Sequence, residues 1–278
     1  FNPIGMTRTT FVPRENFAFP HSKTIDNQVY LLTMQDDEST EFFKPAGDIW
    51  SSAHDMGLYL ITELKRGLNA TGERIVDEHH LNYRKIPQVK TGHENHYGLG
   101  LNVGRHKGLT KIGHKGGTNG FGSLLGFYPE KQCGFVILTN GYGGHLLTDV
   151  IRRKLLELWF DTDEKSSETL IYNLRETKKY LTEFKEKLAE PPSDWIKSFL
   201  GKHRNDELGI FEIRQDGGDY ILDIGIYKTK LMIHEEKNGK KTLAWITPPY
   251  IGFSLIPSEG ESFKMVEEQH TYVFKKIG

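Results

Sequence analysis

The stretch Gly113-His114-Lys115-Gly116-Gly117-Thr118-Asn119-Gly120-Phe121 joins two strand-like segments and carries a titratable histidine near its start. Four of its nine residues are glycine. Because glycine has no β-carbon, another backbone or a ligand can approach this stretch closely. The residues alone leave two interpretations open: a plain hairpin with a surface histidine, and a functional turn between two strands.

Strand-like segments lie on both sides of this stretch. Four are predicted from apolar, β-branched and aromatic residues: Tyr97–Val103, Leu109–His114, Phe121–Tyr128 and Cys133–Asn140. Turn-forming residues connect the third segment to the fourth, as in a hairpin. The run Gly134–Leu138 is apolar without alternation, which indicates a central strand covered on both faces.

Helices are predicted before and after these strands. The segment Ser52–Arg66 has helical apolar spacing, with Ser52 as a candidate N-cap and Gly67 at its end. A second short helix is predicted at Asp77–Lys85. One apolar face recurs from Leu146 to Trp159, so this helix should lie on the sheet.

A charged segment and a strand-rich segment follow. In residues 161–193 three leucines spaced by seven predict a linker helix, and an amphipathic helix packed on one domain is favoured over a coiled-coil seam. Short strands beyond Trp195 predict a small antiparallel barrel in residues 194–278. These strands are Ile210–Ile213, Tyr220–Ile224, Lys230–His234, Thr242–Ile246, Phe253–Ile256, Phe263–Val266 and Thr271–Lys275. The expected domains are therefore 1–160 and 194–278, joined by the linker.

Composition restricts the class of partner. The net charge is -1 and the sequence pI is about 6.9, so no global field favours nucleic acid or an anionic membrane, and a small substrate fits better. No apolar run approaches the roughly 20 residues that a membrane span needs. Cys133 is the only cysteine, which excludes an internal disulfide and leaves the compartment unassigned. The chain lacks an initiator methionine, and we expect a fragment or a processed product.

The stretch around His114 resembles the third active-site motif of the penicillin-recognising serine hydrolases, which is Lys-Thr-Gly in the classical enzymes and His-x-Gly in many esterases and D-aminopeptidases. Four more matches occur in family order. Residues Pro45–Met56 resemble Pro-Ala-Gly-Gly-Leu-x-Ser-Ser/Thr-Ala-x-Asp-Met, and Phe1–Met6 resemble Phe-x-Pro-Leu-Gly-Met. Tyr97–Leu101 and Leu138–Asn140 match as well.

The resemblance covers residues 1–160 and implies an α+β fold, the C-terminal half of a β-lactamase-like helix/antiparallel-sheet/helix sandwich. The strand order and the ending of residues 194–278 resemble the lipocalin-like barrel that is appended to many hydrolases of this family. That barrel could serve substrate gating, oligomer assembly or packing, so a homo-oligomer is one candidate assembly.

Roles for individual residues follow from the same resemblance. His114 takes the place of the motif lysine or histidine, which supports proton transfer and charge during acyl transfer, and Gly116 is the motif glycine. The backbone N–H of Gly117 corresponds to one donor of the oxyanion hole, whose loss costs about 10²–10³ in rate. The strand around Thr118 and Asn119 would bind substrate backbone by edge pairing.

Other positions depart from the family pattern. Asp48 stands where the family has a second glycine, and it either tunes substrate charge or is simply solvated. The family's nucleophile is the serine of Ser-x-x-Lys, with that lysine or a Tyr-x-Asn/Ser tyrosine as base, and neither Ser-x-x-Lys nor Tyr-x-Asn occurs in this chain.

The resemblance places both motifs upstream of the residues that match Phe1–Met6. We therefore expect an N-terminal segment or a partner chain to carry the nucleophile, and this chain alone to be inactive. The family's sheet takes its first two strands from residues that precede the site serine. The edge beside Gly134–Leu138 should therefore be unpaired and apolar in this chain.

The function implied is hydrolysis of amide or ester bonds in small peptides or related acyl compounds through an acyl-enzyme, with no metal or organic cofactor. The enzyme alternative is a β-lactam-binding protein or β-lactamase. A further alternative is a non-catalytic ligand-binding protein on the same scaffold.

Three further features are assigned no role in the site. Lys90-Thr91-Gly92 spells the classical third motif, but it lies in a polar stretch before the Tyr97 strand. The histidines lack a helix or a further ligand at metal-binding spacing, so a solvated loop is favoured over a metal site. These are His79, His80, His93, His96 and His106. Cys133 is interpreted as a small strand residue rather than as a nucleophile.

Overall fold

The computed structural model describes residues 17–33, 49–106, 108–141, 144–235, 239–267 and 270–278. The chain divides into two compact units. Among the described residues, the first unit consists of 17–18, 49–106, 108–141 and 144–170. The second consists of 19–33, 171–235, 239–267 and 270–278. The second unit includes a short hairpin of β1 (His21–Lys23) and β2 (Val29–Leu31).

The first unit is built on a six-stranded antiparallel sheet whose strands follow chain order. They are β3 (Val89–Lys90), β4 (Asn95–Tyr97), β5 (Asn102–His106), β6 (Leu109–Thr118), β7 (Phe121–Tyr128) and β8 (Cys133–Thr139). The predicted strand Tyr97–Val103 is wrong, because a reverse turn closed by the Gly98 N–H donating to the Leu101 carbonyl at 2.8 Å separates β4 from β5. The other three predicted strands are confirmed, and β6 continues past His114 to Thr118.

Helices cover both faces of this sheet. The helices of this unit include α1 (Ala53–Leu64), α2 (Glu78–Tyr83) and α3 (Gly144–Phe160), of which α1 and α3 pack on the sheet. The Ser52 hydroxyl caps α1 by accepting from the Asp55 N–H at 3.1 Å. Leu60 of α1 packs in one cluster with Leu125, whereas Leu156 of α3 packs in another with Leu124. Because consecutive strand residues point to opposite faces, the sheet lies between α1 and α3. The helix/antiparallel-sheet/helix sandwich expected from the sequence is confirmed.

Strand β8 is the outermost strand of the described sheet. It pairs with β7, and among the described residues no strand lies on its other side. Val136 belongs to the cluster of α1, and Phe135 and Ile137 belong to the cluster of α3, so both faces are covered as predicted. The sequence predicted a central strand, but β8 lies at the edge of the described sheet. The unpaired edge predicted beside Gly134–Leu138 is found among the described strands.

The second unit contains a closed antiparallel barrel of eight strands. They are β10 (Gly201–Asn205), β11 (Gly209–Asp216), β12 (Asp219–Asp223), β13 (Lys228–Glu235), β14 (Lys241–Trp245), β15 (Ser254–Ser258), β16 (Ser262–Glu267) and β17 (His270–Ile277). Each strand pairs with the next, and β17 pairs with β10 to close the barrel. The barrel fits a lipocalin-like domain, and a relation to lipocalins stays a prediction.

Shorter elements precede the barrel. They are α4 (Ser166–Glu186), β9 (Leu188–Ala189), which pairs with β13, and α5 (Ser193–Ile196). A helix, α4, is present in the predicted linker segment, and the boundary between the two units falls within it, after Leu170. The role of this segment as a linker stays a prediction. None of the helices in the described ranges combines the length and the apolar composition that a bilayer crossing requires.

Side chains fill the interior of the barrel. Leu222, Leu231, Leu243 and Phe263 are all fully buried there. His203 is also fully buried, with its Nε2 2.9 Å from the Phe199 carbonyl oxygen, and burial lowers the pKa of this imidazole. Sequence analysis missed β10, because Gly-Lys-His-Arg-Asn contains no apolar side chain and its inward residue is a histidine.

A buried ionic network attaches α1 to the segment that ends α2. Glu63 on α1 has a side chain only 1% exposed, forms an ion pair with Arg84, and lies 3.0 Å from the Lys85 Nζ. The Tyr59 hydroxyl donates to Glu63 at 2.6 Å and accepts from Arg84 at 2.7 Å. Burial raises the pKa of Tyr59, so its hydroxyl stays protonated as a donor.

We predict that Glu63→Ala destabilises the protein by about 3–5 kcal/mol, because it leaves two cations without their buried anion. Urea denaturation measures the change in the free energy of unfolding. The matched control is Glu78→Ala, which removes the carboxylate of an exposed pair with Arg66 and should change stability by less than about 1 kcal/mol. Equal effects of the two substitutions would contradict this account of the network.

Candidate active site

The two ladders of β6 end at different places. Its pairing with β5 stops at Gly113 opposite Asn102, whereas its pairing with β7 continues to Thr118 opposite Phe121. Residues 114–118 therefore have a neighbouring strand on one side, and among the described residues no strand pairs with them on the other. Backbone groups on that open side can pair with an extended ligand, as in β-strand addition.

His114 lies at the start of this open edge and contacts Tyr97. The Tyr97 hydroxyl is 2.9 Å from the His114 Nε2, and the two rings meet edge to face with centroids 5.7 Å apart. Tyr97 is the last residue of β4, immediately before the turn to β5, and this position brings its phenol to the His114 imidazole. Sequence analysis identified Tyr97–Leu101 as a family match but missed this contact, since a side chain two strands away leaves no spacing signal.

The glycines of β6 allow close approach by neighbouring side chains. A β-carbon at Gly116 would lie 2.5 Å from the Ser123 Oγ, and one at Gly117 would lie 2.3 Å from the His145 Nε2. Real β-carbons do not tolerate such distances, so both positions require glycine unless the neighbours move. His145 on α3 is the second site neighbour that sequence analysis missed.

Charge also attaches α3 to β6. The Lys115 Nζ lies 2.6 Å from the Asp149 Oδ2, one turn of α3 beyond His145. Burial and then the positive charge of Lys115 lower the pKa of His145, so its imidazole stays neutral to lower pH than usual.

Three stretches that are far apart in the sequence meet at the β6–β7 hairpin. Tyr97 contacts His114, the Trp50 ring meets Phe121 edge to face at 5.4 Å, and the Thr139 hydroxyl donates to the Gly122 carbonyl at 3.2 Å. Each stretch belongs to one of the family-like matches. The hairpin is therefore the place where these matches converge.

The remaining predicted site residues are divided between this hairpin and the part that is not described. Thr118 is exposed at the end of β6, and Asn119 forms the turn to β7 with Gly120, whose φ of 75° favours glycine. Asp48 and Phe1–Met6 lie outside the described residues. The catalytic and binding roles assigned to these residues stay predictions.

The features assigned no role lie away from the hairpin. Lys90 is exposed on β3, separated from β6 by β4 and β5. Within the described ranges, no group of three histidine, cysteine or acidic side chains is arranged to hold a metal ion. Cys133 begins β8, and burial raises the pKa of its thiol, which disfavours the nucleophilic thiolate.

Comparison with protein families agrees with this arrangement. The family model described as Beta-lactamase matches residues 1–157, more than half of the 278 residues. The chain belongs to the beta-lactamase family. The match covers the sandwich and the open edge of β6 and ends before the barrel.

Solved structures similar to this beta-lactamase family chain include penicillin-binding protein relatives. The octameric penicillin-binding protein homologue from Pyrococcus abyssi is 18% identical to this chain, with a TM-score of 0.47. The matched region covers 98% of this chain and 57% of the homologue. SurE is 14% identical with a TM-score of 0.45, covering 98% of this chain and 60% of its own. The penicillin binding protein from Bacillus halodurans is 16% identical with a TM-score of 0.41, covering 55% of this chain and 45% of its own. This chain thus spans less than two thirds of each, and no curated protein gave a significant match.

We predict that Gly117→Ala destabilises the protein by about 1 kcal/mol, because the methyl group of the alanine would collide with the His145 ring. In a His145→Ala background the same substitution should cost little. Thermal and urea unfolding of the four proteins in this cycle measure the coupling. Gly57→Ala on α1 is the control, since a β-carbon there meets nothing within 4 Å. Equal costs of Gly117→Ala in both backgrounds would exclude the collision.

Proposed function

We propose that this chain supplies the substrate strand and one oxyanion donor of a serine hydrolase of the peptidase or esterase type. Its substrates would be amide or ester bonds in small peptides or related acyl compounds, cleaved through an acyl-enzyme. The observation that carries the proposal is the open edge of β6, which begins at His114 and continues through two glycines.

The open edge suits an extended substrate. A peptide or acyl chain placed along Gly116 to Thr118 would pair with the backbone groups that β5 leaves free, with Asn119 at the end of the strand. In the proposed reaction the Gly117 N–H donates to the oxygen of the attacked carbonyl as that oxygen becomes negative. A rigid strand provides this donor without reorganisation, and such preorganised donors are among the largest contributions to acyl transfer.

His114 is the proposed proton-handling group at this edge. Its hydrogen bond to the Tyr97 phenol fixes the orientation of the imidazole and links the choice of tautomer to the direction of that bond. An imidazole can accept a proton in one step of acyl transfer and donate it in the next. Tyr97 would act as a positioning residue through His114.

The nucleophile and its base would come from outside this sequence. Ser-x-x-Lys and Tyr-x-Asn are both absent from the chain, so we propose that an upstream segment or a partner chain supplies them, and that this chain alone is inactive. Asp48 would either influence the charge of the substrate that the site accepts or be solvated. The histidine-type motif favours the peptidase and esterase branch over the β-lactamases.

Acylation of the longer gene product tests this proposal. We predict that a protein with the upstream segment gains one adduct from a fluorophosphonate probe, on a serine that precedes Phe1, whereas the present chain gains none. Intact-mass and peptide-mass spectrometry locate the adduct. If the longer protein forms no adduct and turns over no activated ester, the scaffold is a non-catalytic binding protein and the proposal is wrong.

Substitution of His114 tests the choice of motif. In the longer protein, His114→Ala should lower kcat/KM for an activated ester by about 10²–10⁴, because proton transfer loses its positioned group. Its thermal stability should change little, since the imidazole lies at an open edge. Lys90→Ala is the matched control and should leave kcat/KM within about twofold, given its position on β3. A large loss in the lysine variant with normal activity in the histidine variant would reverse the assignment.

A further inference from the structure

His203 is a titratable residue inside the apolar core of the barrel. Its side chain is fully buried at the middle of β10. The Phe211 ring stacks on the imidazole with centroids 5.1 Å apart, and the Phe263 ring meets it edge to face at 5.0 Å. Both phenylalanines belong to the main cluster of the barrel. A positive charge on this imidazole would therefore lose its hydration and gain apolar rings as neighbours.

Only one nitrogen of this imidazole has a hydrogen-bond partner among the described residues. The Nε2 lies 2.9 Å from the Phe199 carbonyl oxygen, and because a carbonyl can only accept, the Nε2 carries the hydrogen and donates it. The Nδ1 is buried and has no partner in the described part of the chain. A second proton would enter at the Nδ1 and create a buried N–H donor without an acceptor, which opposes folding.

The charged groups around His203 do not supply that acceptor. Lys276 lies directly opposite His203 in the pairing of β10 with β17, and its Nζ is 2.8 Å from the Glu261 Oε2. The nearest carboxylate is therefore already bound to an ammonium group. On the side of the helical turn that precedes β10, Lys197 and Asp194 pair with each other at the surface at 3.2 Å. Burial is the largest cause of the lowered pKa of His203, and the charge of Lys276 adds to it.

His203 also occupies the place where the barrel closes. Strand β10 pairs with β11 on one side and with β17 on the other, and the second pairing joins the two ends of the sheet. The bond from His203 to Phe199 attaches β10 to the helical turn Lys197–Phe199 before it. Protonation of one side chain would thus weaken both the closing strand and the segment that precedes it.

We infer that His203 is a pH-sensitive switch: its neutral imidazole stabilises the closed barrel at the pairing of β10 with β17, and its protonation opens the barrel there. An exposed histidine in the opened chain takes up a proton near about pH 6.5, whereas the buried imidazole does so only at lower pH. The opened form then binds more protons than the closed form. The stability that His203 contributes is therefore complete above about pH 6.5 and is lost as the pH falls below it. The inference is independent of the proposed function, because the residues involved lie in the second unit.

Hydrogen exchange of this chain from pH 8 to pH 5, followed by mass spectrometry of its peptides, tests the switch. Rates are corrected for the intrinsic effect of pH on exchange, so that the remaining change reports opening. We predict that the protection of the amides in β10 and β17 falls by about tenfold or more over this range. A single group of this kind changes the opening equilibrium by up to about tenfold for each pH unit below the value at which the opened chain titrates.

Substitutions assign the pH effect to His203. His203→Gln keeps an amide donor for the Phe199 carbonyl but has no group that titrates, and His203→Phe replaces the imidazole with an apolar ring. Both variants are expected to have lower protection at pH 8, yet from pH 8 to pH 5 it should change by less than about threefold. His270→Gln is the matched control, since His270 is an exposed histidine of β17, and it should keep the wild-type pH dependence. If one His203 variant is unfolded at pH 8, the other decides.

Two results would overturn the inference. One is wild-type protection of β10 and β17 that stays constant between pH 8 and pH 5, which would show that the barrel tolerates a protonated His203 or never takes up the proton. The other is an equally large loss of protection in His203→Gln or His203→Phe, which would assign the acid effect to other groups.

Discussion

The offset between the two ladders of β6 is the constraint on which the candidate site depends. The tight turn between β4 and β5 ends the pairing at Gly113, while the pairing with β7 continues to Thr118. A strand paired on one side only is normally a liability, because its free backbone groups attract other chains. Here the free edge is short and glycine-rich and begins at a histidine that contacts Tyr97, and it is the edge proposed to bind an extended ligand.

The rigidity of that edge comes from the layers on either side of the sheet. The cluster of α1 and the cluster of α3 take alternate residues of β7, so neither β6 nor β7 can shift without disturbing both clusters. Lys115 and His145 add direct contacts between β6 and α3. A proposed oxyanion donor requires this rigidity, because a donor that reorganises during the reaction stabilises the transition state less.

The two units differ in how they treat their sheet edges. The barrel closes on itself, with β17 paired to β10, so no strand edge of the barrel is left open. The six-stranded sheet leaves β8 without a second neighbour among the described residues, and its Leu138 side chain is exposed. Among the described residues, the free edges therefore lie in the unit that carries the proposed site.

Local sequence determined the elements whose signal is local. Glycine and apolar spacing predicted β7 and α3 to within two residues, and the Ser52 cap predicted the start of α1. The order of family-like motifs predicted the sandwich and pointed to His114. Tertiary structure alone decided which side chains meet: Tyr97 with His114, His145 with Gly117, and Glu63 with Arg84 and Lys85. These contacts join residues that are from 17 to 28 positions apart, where no helical or strand period links them, and they depend on the register of the sheet and the seating of its helices.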